Sequence, residues 1–166
     1  MSVQHELDRF VSIAEKEIGI KESGNNHVKY GEWYGMDGQP WCAMFVSWCA
    51  QQAGILTTQK LKSCPFVPKM SYTPSIREWY ARNRRLLAPN TLPTNPNYPK
   101  AGDIVLIDSK GGTAVNHVGI VCRTNSIIFE VIEGNCSNMV KKVVYNNLVS
   151  KTGAKILYLC SNHTSY

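Results

Sequence analysis

The sequence holds no apolar run close to the roughly 18 residues that a membrane-spanning helix needs, so a membrane partner is not expected. It has no internal repeat. Its first twenty residues, MSVQHELDRFVSIAEKEIGI, interleave charged and apolar side chains at helical spacing and contain no continuous apolar core of a secretory leader. Synthesis in the cytoplasm is therefore expected, with a separate release step if the protein acts outside the cell. No two of its six cysteines (Cys42, Cys49, Cys64, Cys122, Cys136, Cys160) lie closer than seven residues. That spacing excludes a C-x-x-C zinc or thioredoxin motif. Cys49, Cys122 and Cys160 sit within apolar segments and read as small buried hydrophobes, so reduced thiols are expected. Acidic residues are the scarcer charge, 12 against 18 Lys and Arg, for a net charge of +6. The excess suits an anionic partner such as nucleic acid, a membrane surface or a cell wall bearing teichoic acid, and equally an ordinary solvated face. The densest basic cluster (Arg82, Arg84, Arg85) lacks the interleaved aromatics of a single-strand platform, so nucleic acid is not an expected partner.

What is present is an ordinary globular composition, 43% apolar and 18% charged. The 166 residues suffice for one domain with a real core, read as a single unit over 1–166. Val3, Leu7, Phe10, Val11, Ala14 and Ile18 predict an amphipathic helix over residues 3–18, stopped by Gly19. The Gly- and Asn-rich stretch from Lys21 to Gln39 reads as a long ordered loop. A second helix is predicted from near Pro40 to about Ala53, with Gly54 as its cap. A third spans Ser75–Asn83, followed by a proline-rich loop. From Asp103 the texture changes to short β-branched runs, DIVLID, NHVGIVCR, SIIFEVIEGN, NMVKKVVYN and AKILYLC, divided by turn residues. Helices first and strands second is an α+β pattern, with N-terminal helices packed on a C-terminal antiparallel sheet.

The segment GQPWCAMFVSWCAQQAGI (38–55) places Cys42 at the head of the apolar second helix. A thiol there is either a small core residue or a nucleophile, because unpaired N–H groups and the helix dipole at an N-terminus stabilise a thiolate. A nucleophile requires a base. Of the four histidines, His5 lies in the first helix, His27 in the polar loop and His163 in the tail. His117 opens a strand with a buried continuation, although a histidine at a sheet edge fits the same pattern. Glu133 and Asn135 end the following strand on one side of it, with Gly134 between them. If 117–123 and 126–133 form a hairpin about RTN, the antiparallel partner of His117 falls near Glu133. A carboxylate or amide there would orient the imidazole and stabilise its cation. Together Cys42, His117 and Glu133 are far more specific than any one of them.

These segments, in this order, resemble the CHAP family, the cysteine- and histidine-dependent amidohydrolases/peptidases. IGIKESGNNHVKYGEWYG is similar to the upstream segment of CHAP domains in phage endolysins and bacterial wall hydrolases. The resemblance runs from about residue 10 to 160. It implies a papain-like α+β fold and hydrolysis of a peptidoglycan amide bond after release to the wall, with peptidoglycan as the partner and a monomer expected. Cys42 takes the place of the nucleophile, His117 of the base, and Glu133 and Asn135 of the orienting groups. Gln39 is a candidate second oxyanion donor, and Trp33, Tyr34 and Trp41 are candidates for a substrate groove, with core packing the alternative for Trp41. Some members bind calcium in an acidic loop. Here only Glu22, Glu32 and Asp37 are scattered in it, short of a recognisable loop spacing, so no cofactor and no required metal are expected. Rival readings are a stem-peptide peptidase of the NlpC/P60 type, a non-catalytic wall-binding module and a delivered antibacterial toxin.

Overall fold

The computed structural model describes residues 2–57, 67–95, 97–125 and 127–163. Helix α1 (Val3–Lys16) buries Leu7, Phe10, Val11 and Ala14 on one face, and the Ser2 hydroxyl caps it by accepting from the His5 N–H. It ends before Gly19, whose N–H donates instead to the Val140 carbonyl. The expected loop from Lys21 to Gln39 contains a short helix, α2 (Lys29–Tyr34), closed by Gly35 in the left-handed region. Six residues are too few for helical periodicity to show in the sequence.

Helix α3 (Cys42–Ala53) begins two residues after the predicted proline start. Trp41 takes the cap position and Pro40 lies outside the helix. Gly54, at φ +80°, closes it as expected. It is buried on nearly every side, as its apolar run implies. The parallel pair β1 (Leu56–Thr57) and β2 (Val67–Pro68) follows, then α4 (Thr73–Arg82) and β3 (Leu86–Leu87).

The five predicted strands are present in order: β4 (Ile104–Asp108), β5 (His117–Asn125), β6 (Ile128–Glu133), β7 (Lys141–Asn146) and, after the two-residue β8 (Val149–Ser150), β9 (Lys155–Cys160). They form an antiparallel sheet in the order β3-β9-β4-β5-β6-β7-β8. Val149 of β8 also pairs with Lys155 of β9, which joins the sheet to itself. The architecture is mixed α/β, and the sheet is a barrel rather than a flat layer under helices. Closure rests on β8, too short to carry an alternating pattern, and on the twist that curls strands toward one another.

Two apolar cores follow from the closure. One lies between α1, α3 and the outward side chains Ile104, Leu106, Val118, Ile120 and Ile132. The other fills the barrel with Val105, Ile107, Val121, Phe129, Val131, Tyr145 and Ile156. The alternate residues of β4, β5 and β6 thus serve opposite cores. Arg85, from the basic cluster, is buried and donates to the Ser161 carbonyl and the Asn162 side chain, so it fastens the end of the chain rather than facing solvent. The five described cysteines are free, and Cys64 lies outside the described residues. Cys122 is half-buried and Cys49 and Cys160 are buried. No helix among the described residues is long and apolar enough to cross a membrane.

Candidate active site

Cys42 is the first residue of α3 and only 8% exposed. The backbone N–H groups of a first helical turn have no partner within the helix, so the sulfur sits in a field that favours its anion. The Ala43 N–H acts on the sulfur in the same sense, lowering the thiol's pKa. A second helix start reaches the same point: Thr73, the first residue of α4, places its Oγ1 3.8 Å from the Cys42 Sγ.

His117 opens β5, and its Nε2 lies 2.9 Å from the Glu133 Oε2. The Cys42 sulfur is the other group that acts on the imidazole, and with Nε2 engaged by Glu133, Nδ1 is the nitrogen left to face it. The hairpin register differs by two residues from the expected one. Ile120 pairs with Ile132, so Glu133 falls opposite Gly119 rather than His117. The cause lies in the hairpin: strand pairing continues to Asn125 and Ile128, and a bulge between Val121 and Arg123 adds a residue to β5. Contact with His117 survives because position 119 has no side chain. A Cβ there would lie 2.4 Å from the Val131 Cγ1 and 2.9 Å from the Glu133 Cγ. Glu133 leans across this gap to the imidazole. Gly119→Ala is therefore expected to destabilise the protein by about 1–3 kcal/mol in urea unfolding. Its loss of activity should exceed what the unfolded fraction explains, because the new methyl displaces Glu133.

Glu133 is 3% exposed and both of its oxygens are engaged: Oε2 with His117 and Oε1 with the Tyr145 hydroxyl, which donates at 2.7 Å. Tyr145 is buried inside the barrel, and burial together with this carboxylate pushes its phenol up. The phenol therefore stays a proton donor. Burial acts to lower the His117 pKa, but the Cys42 sulfur and the Glu133 carboxylate outweigh it and push the imidazole up to about 10. Burial acts to raise the Cys42 pKa, and His117, with Thr73 and the Ala43 N–H, brings it below the ordinary thiol value. Both shifts favour a thiolate beside an imidazolium.

The other candidates are dispersed. Asn135 follows Gly134 with φ +54° and its amide donates to the Asn26 side chain at 3.2 Å; no hydrogen bond joins it to His117. It shares with His117 and Glu133 a cavity of about 440 Å³ at the barrel mouth. Gly134 is tightly packed, since a Cβ there would meet the Phe45 side chain of α3 at 2.5 Å. Gln39 is exposed. Trp33 and Tyr34 are half-buried with their rings edge to face, and the Lys69 ammonium lies over both. Trp41 is removed from any groove: it is fully buried, packs on Tyr30, and its indole donates to Glu22 at 2.9 Å. A second cavity, of about 290 Å³, opens at the thiol itself, among Pro40, Ser71, Tyr72, Thr73, Val115 and Asn116.

Three contributors had no sequence signal. Gly119 reads as an ordinary strand glycine, Tyr145 as one apolar residue of a strand, and Thr73 lies in the segment least like the family pattern. The loop before His117 is also built around a carboxylate: Asp108 accepts from the Lys110 and Ala114 N–H groups and the Asn116 amide.

Two of the three acidic residues scattered in the N-terminal segment already have both carboxylate oxygens engaged. Glu22 accepts from the Asn26 N–H and the Trp41 indole, and Asp37 from the Val28 N–H while it pairs with His27. Among the described residues no three His, Cys, Asp or Glu side chains converge.

The family model for the CHAP domain matches residues 33–135. This interval runs from α2 to the turn after β6 and contains Cys42, His117, Glu133 and Asn135. Among solved structures the chain is similar to the crystal structure of Ly7917, with 14% identity and a TM-score of 0.54, over 92% of this chain and 60% of that one. It is also similar to the crystal structure of Ly7917 with the hydrolyzing product of MDP, with 16% identity and a TM-score of 0.50, over 97% of this chain and 63% of that one. At these identities the likeness is one of fold, and the chain spans less than two thirds of the length of those proteins. No curated protein matches the sequence.

Proposed function

Since the chain belongs to the CHAP family, we propose that it is a peptidoglycan hydrolase that cuts an amide bond of the bacterial wall through a cysteine nucleophile, on a papain-like arrangement of helix and barrel. One observation carries this reading: an imidazole only 12% exposed that lies between a helix-terminal thiol and a buried carboxylate. Support for the substrate comes from the fold neighbour described with the hydrolyzing product of MDP, a peptidoglycan fragment. The basic charge suits an anionic wall. The setting is that of a phage endolysin or a bacterial wall hydrolase, made in the cytoplasm and acting after release.

In the resting site Cys42 is a thiolate and His117 an imidazolium. The sulfur attacks the amide carbonyl carbon, forming a C–S bond, and the oxyanion is met by the Cys42 N–H, with Gln39 as a second donor once substrate is bound. The imidazolium gives its proton to the departing nitrogen as the C–N bond breaks, leaving a thioester. His117 then takes a proton from water, which attacks the thioester. The C–S bond breaks, the carboxylic acid leaves and the thiolate returns. Glu133 keeps the ring aimed through Nε2 and stabilises its cation. Asn135 acts at the cavity wall, and Trp33 and Tyr34 form an outer rim for the substrate.

The test is mass spectrometry of fragments released from one wall of defined chemistry. New N-terminal alanine identifies cleavage between muramic acid and L-alanine; a freed stem or bridge amine identifies an endopeptidase. Release of neither from several wall types would sink the proposal.

A further inference from the structure

We infer that Thr73 is a further catalytic residue, whose hydroxyl donates to the Cys42 sulfur and holds the thiolate aimed at the substrate; this rests on the reading of Cys42 as nucleophile. Three observations carry it. The hydroxyl lies 3.8 Å from Sγ, within reach of a hydrogen bond to sulfur, and Thr73 is 5% exposed. A buried hydroxyl is rarely left without a partner, and the sulfur is the one the geometry supplies. Threonine near a helix start ordinarily caps the helix with its own oxygen. Here it stands one position inside α4, whose cap residue Tyr72 makes no side-chain cap bond, and its hydroxyl turns to sulfur instead.

The third observation is that the placement is built. The segment leading to Thr73 is fastened to the helix that carries Cys42. Ser47 of α3, fully buried, donates to the Met70 carbonyl at 2.9 Å and accepts from the Met70 N–H at 3.0 Å. Just before it, β2 pairs with β1, which follows α3 directly. Thr73 and Cys42 are thus referred to one rigid helix, and two helix N-termini meet at one sulfur. The groups facing that sulfur are the His117 imidazole from β5, the Thr73 hydroxyl from α4 and the Ala43 N–H from α3, with Glu133 behind the imidazole. Thr73 adds a donor with no charge of its own. It also forms a wall of the 290 Å³ cavity, so the same residue touches the space where substrate reaches the thiol.

The experiment is the pH dependence of iodoacetamide alkylation at Cys42, read on the Cys42 peptide by mass spectrometry, beside the pH profile of wall hydrolysis. Thr73→Val is expected to move the Cys42 alkylation curve and the acid limb of kcat/KM together to higher pH. At neutral pH kcat/KM should fall by roughly 10- to 100-fold, the worth of a hydrogen bond to a charged group. Thr73→Ser, which keeps the hydroxyl, restores both curves. Thr73→Ala removes the hydroxyl without inserting a methyl into its place, and decides the matter if the valine protein does not fold. An unmoved alkylation curve in the hydroxyl-free variants overturns the inference, as does a serine variant that behaves like them. Alkylation needs no substrate, so an error in the proposed substrate leaves this result intact.

Discussion

Cys42→Ala protein is expected to release no fragments from purified walls, with kcat/KM reduced by more than roughly 10⁴-fold, while its circular dichroism stays native. The size of the loss follows from the chemistry. Without sulfur no thioester forms, and His117 faces a methyl group from which it can neither take nor share a proton. Little structural cost is expected, because alanine differs from cysteine by one atom and is a better helix former. The stability change should stay within about 1–2 kcal/mol in urea unfolding. The variant also separates an enzyme from a wall-binding module. An enzyme variant keeps its affinity for walls and loses turnover, whereas a binding module shows no turnover in either form. Undiminished hydrolysis by the alanine variant would falsify the assignment of the nucleophile.

Glu133→Gln carries the second large effect. The carboxylate is buried and accepts from Tyr145 on one oxygen while it bonds His117 through the other. Gln removes its charge with little change of shape. It also brings an amide whose N–H₂ cannot accept from either partner. The His117 cation then loses a buried counter-charge, and its pKa falls from about 10 toward the ordinary imidazole range. Proton donation to the leaving nitrogen requires the imidazolium, so the alkaline limb of the kcat/KM profile marks its loss. That limb is expected near pH 10 in the wild type and well below it in the variant. The acid limb reports protonation of Cys42, held below the ordinary thiol value, so the active window narrows mainly from above. At neutral pH a loss of roughly 10²- to 10⁴-fold is expected, the range for removing the orienting group of a nucleophile–base pair. An alkaline limb that stays in place would assign the control of the imidazole to another group.

Much of the helical half and all five long strands were legible because each satisfies a local rule. The α1 face follows a 3.6-residue period, α3 is one apolar run ended by a left-handed glycine, and the strands are β-branched runs between turn residues. The placement of Cys42 at a helix start was legible for the same reason, although Pro40 suggested a start two residues early. Trp41 shows the limit of such reading: adjacent to the thiol in sequence, it turns into the core to meet Glu22, nineteen residues away.

The chain by itself determined the element order, the helix that carries the thiol, and which histidine and carboxylate lie on adjacent strands. These depend on neighbours within a turn or a hairpin. The tertiary structure decided the barrel closure through β8, the two-residue shift that sets Glu133 opposite Gly119, the Tyr145 hydroxyl behind that carboxylate and the Thr73 hydroxyl beside the sulfur. Each of these joins residues whose local pattern carries no trace of the partner. A side chain's reach across a barrel mouth or between two helix starts depends on how the elements pack, and that is settled only when the cores close.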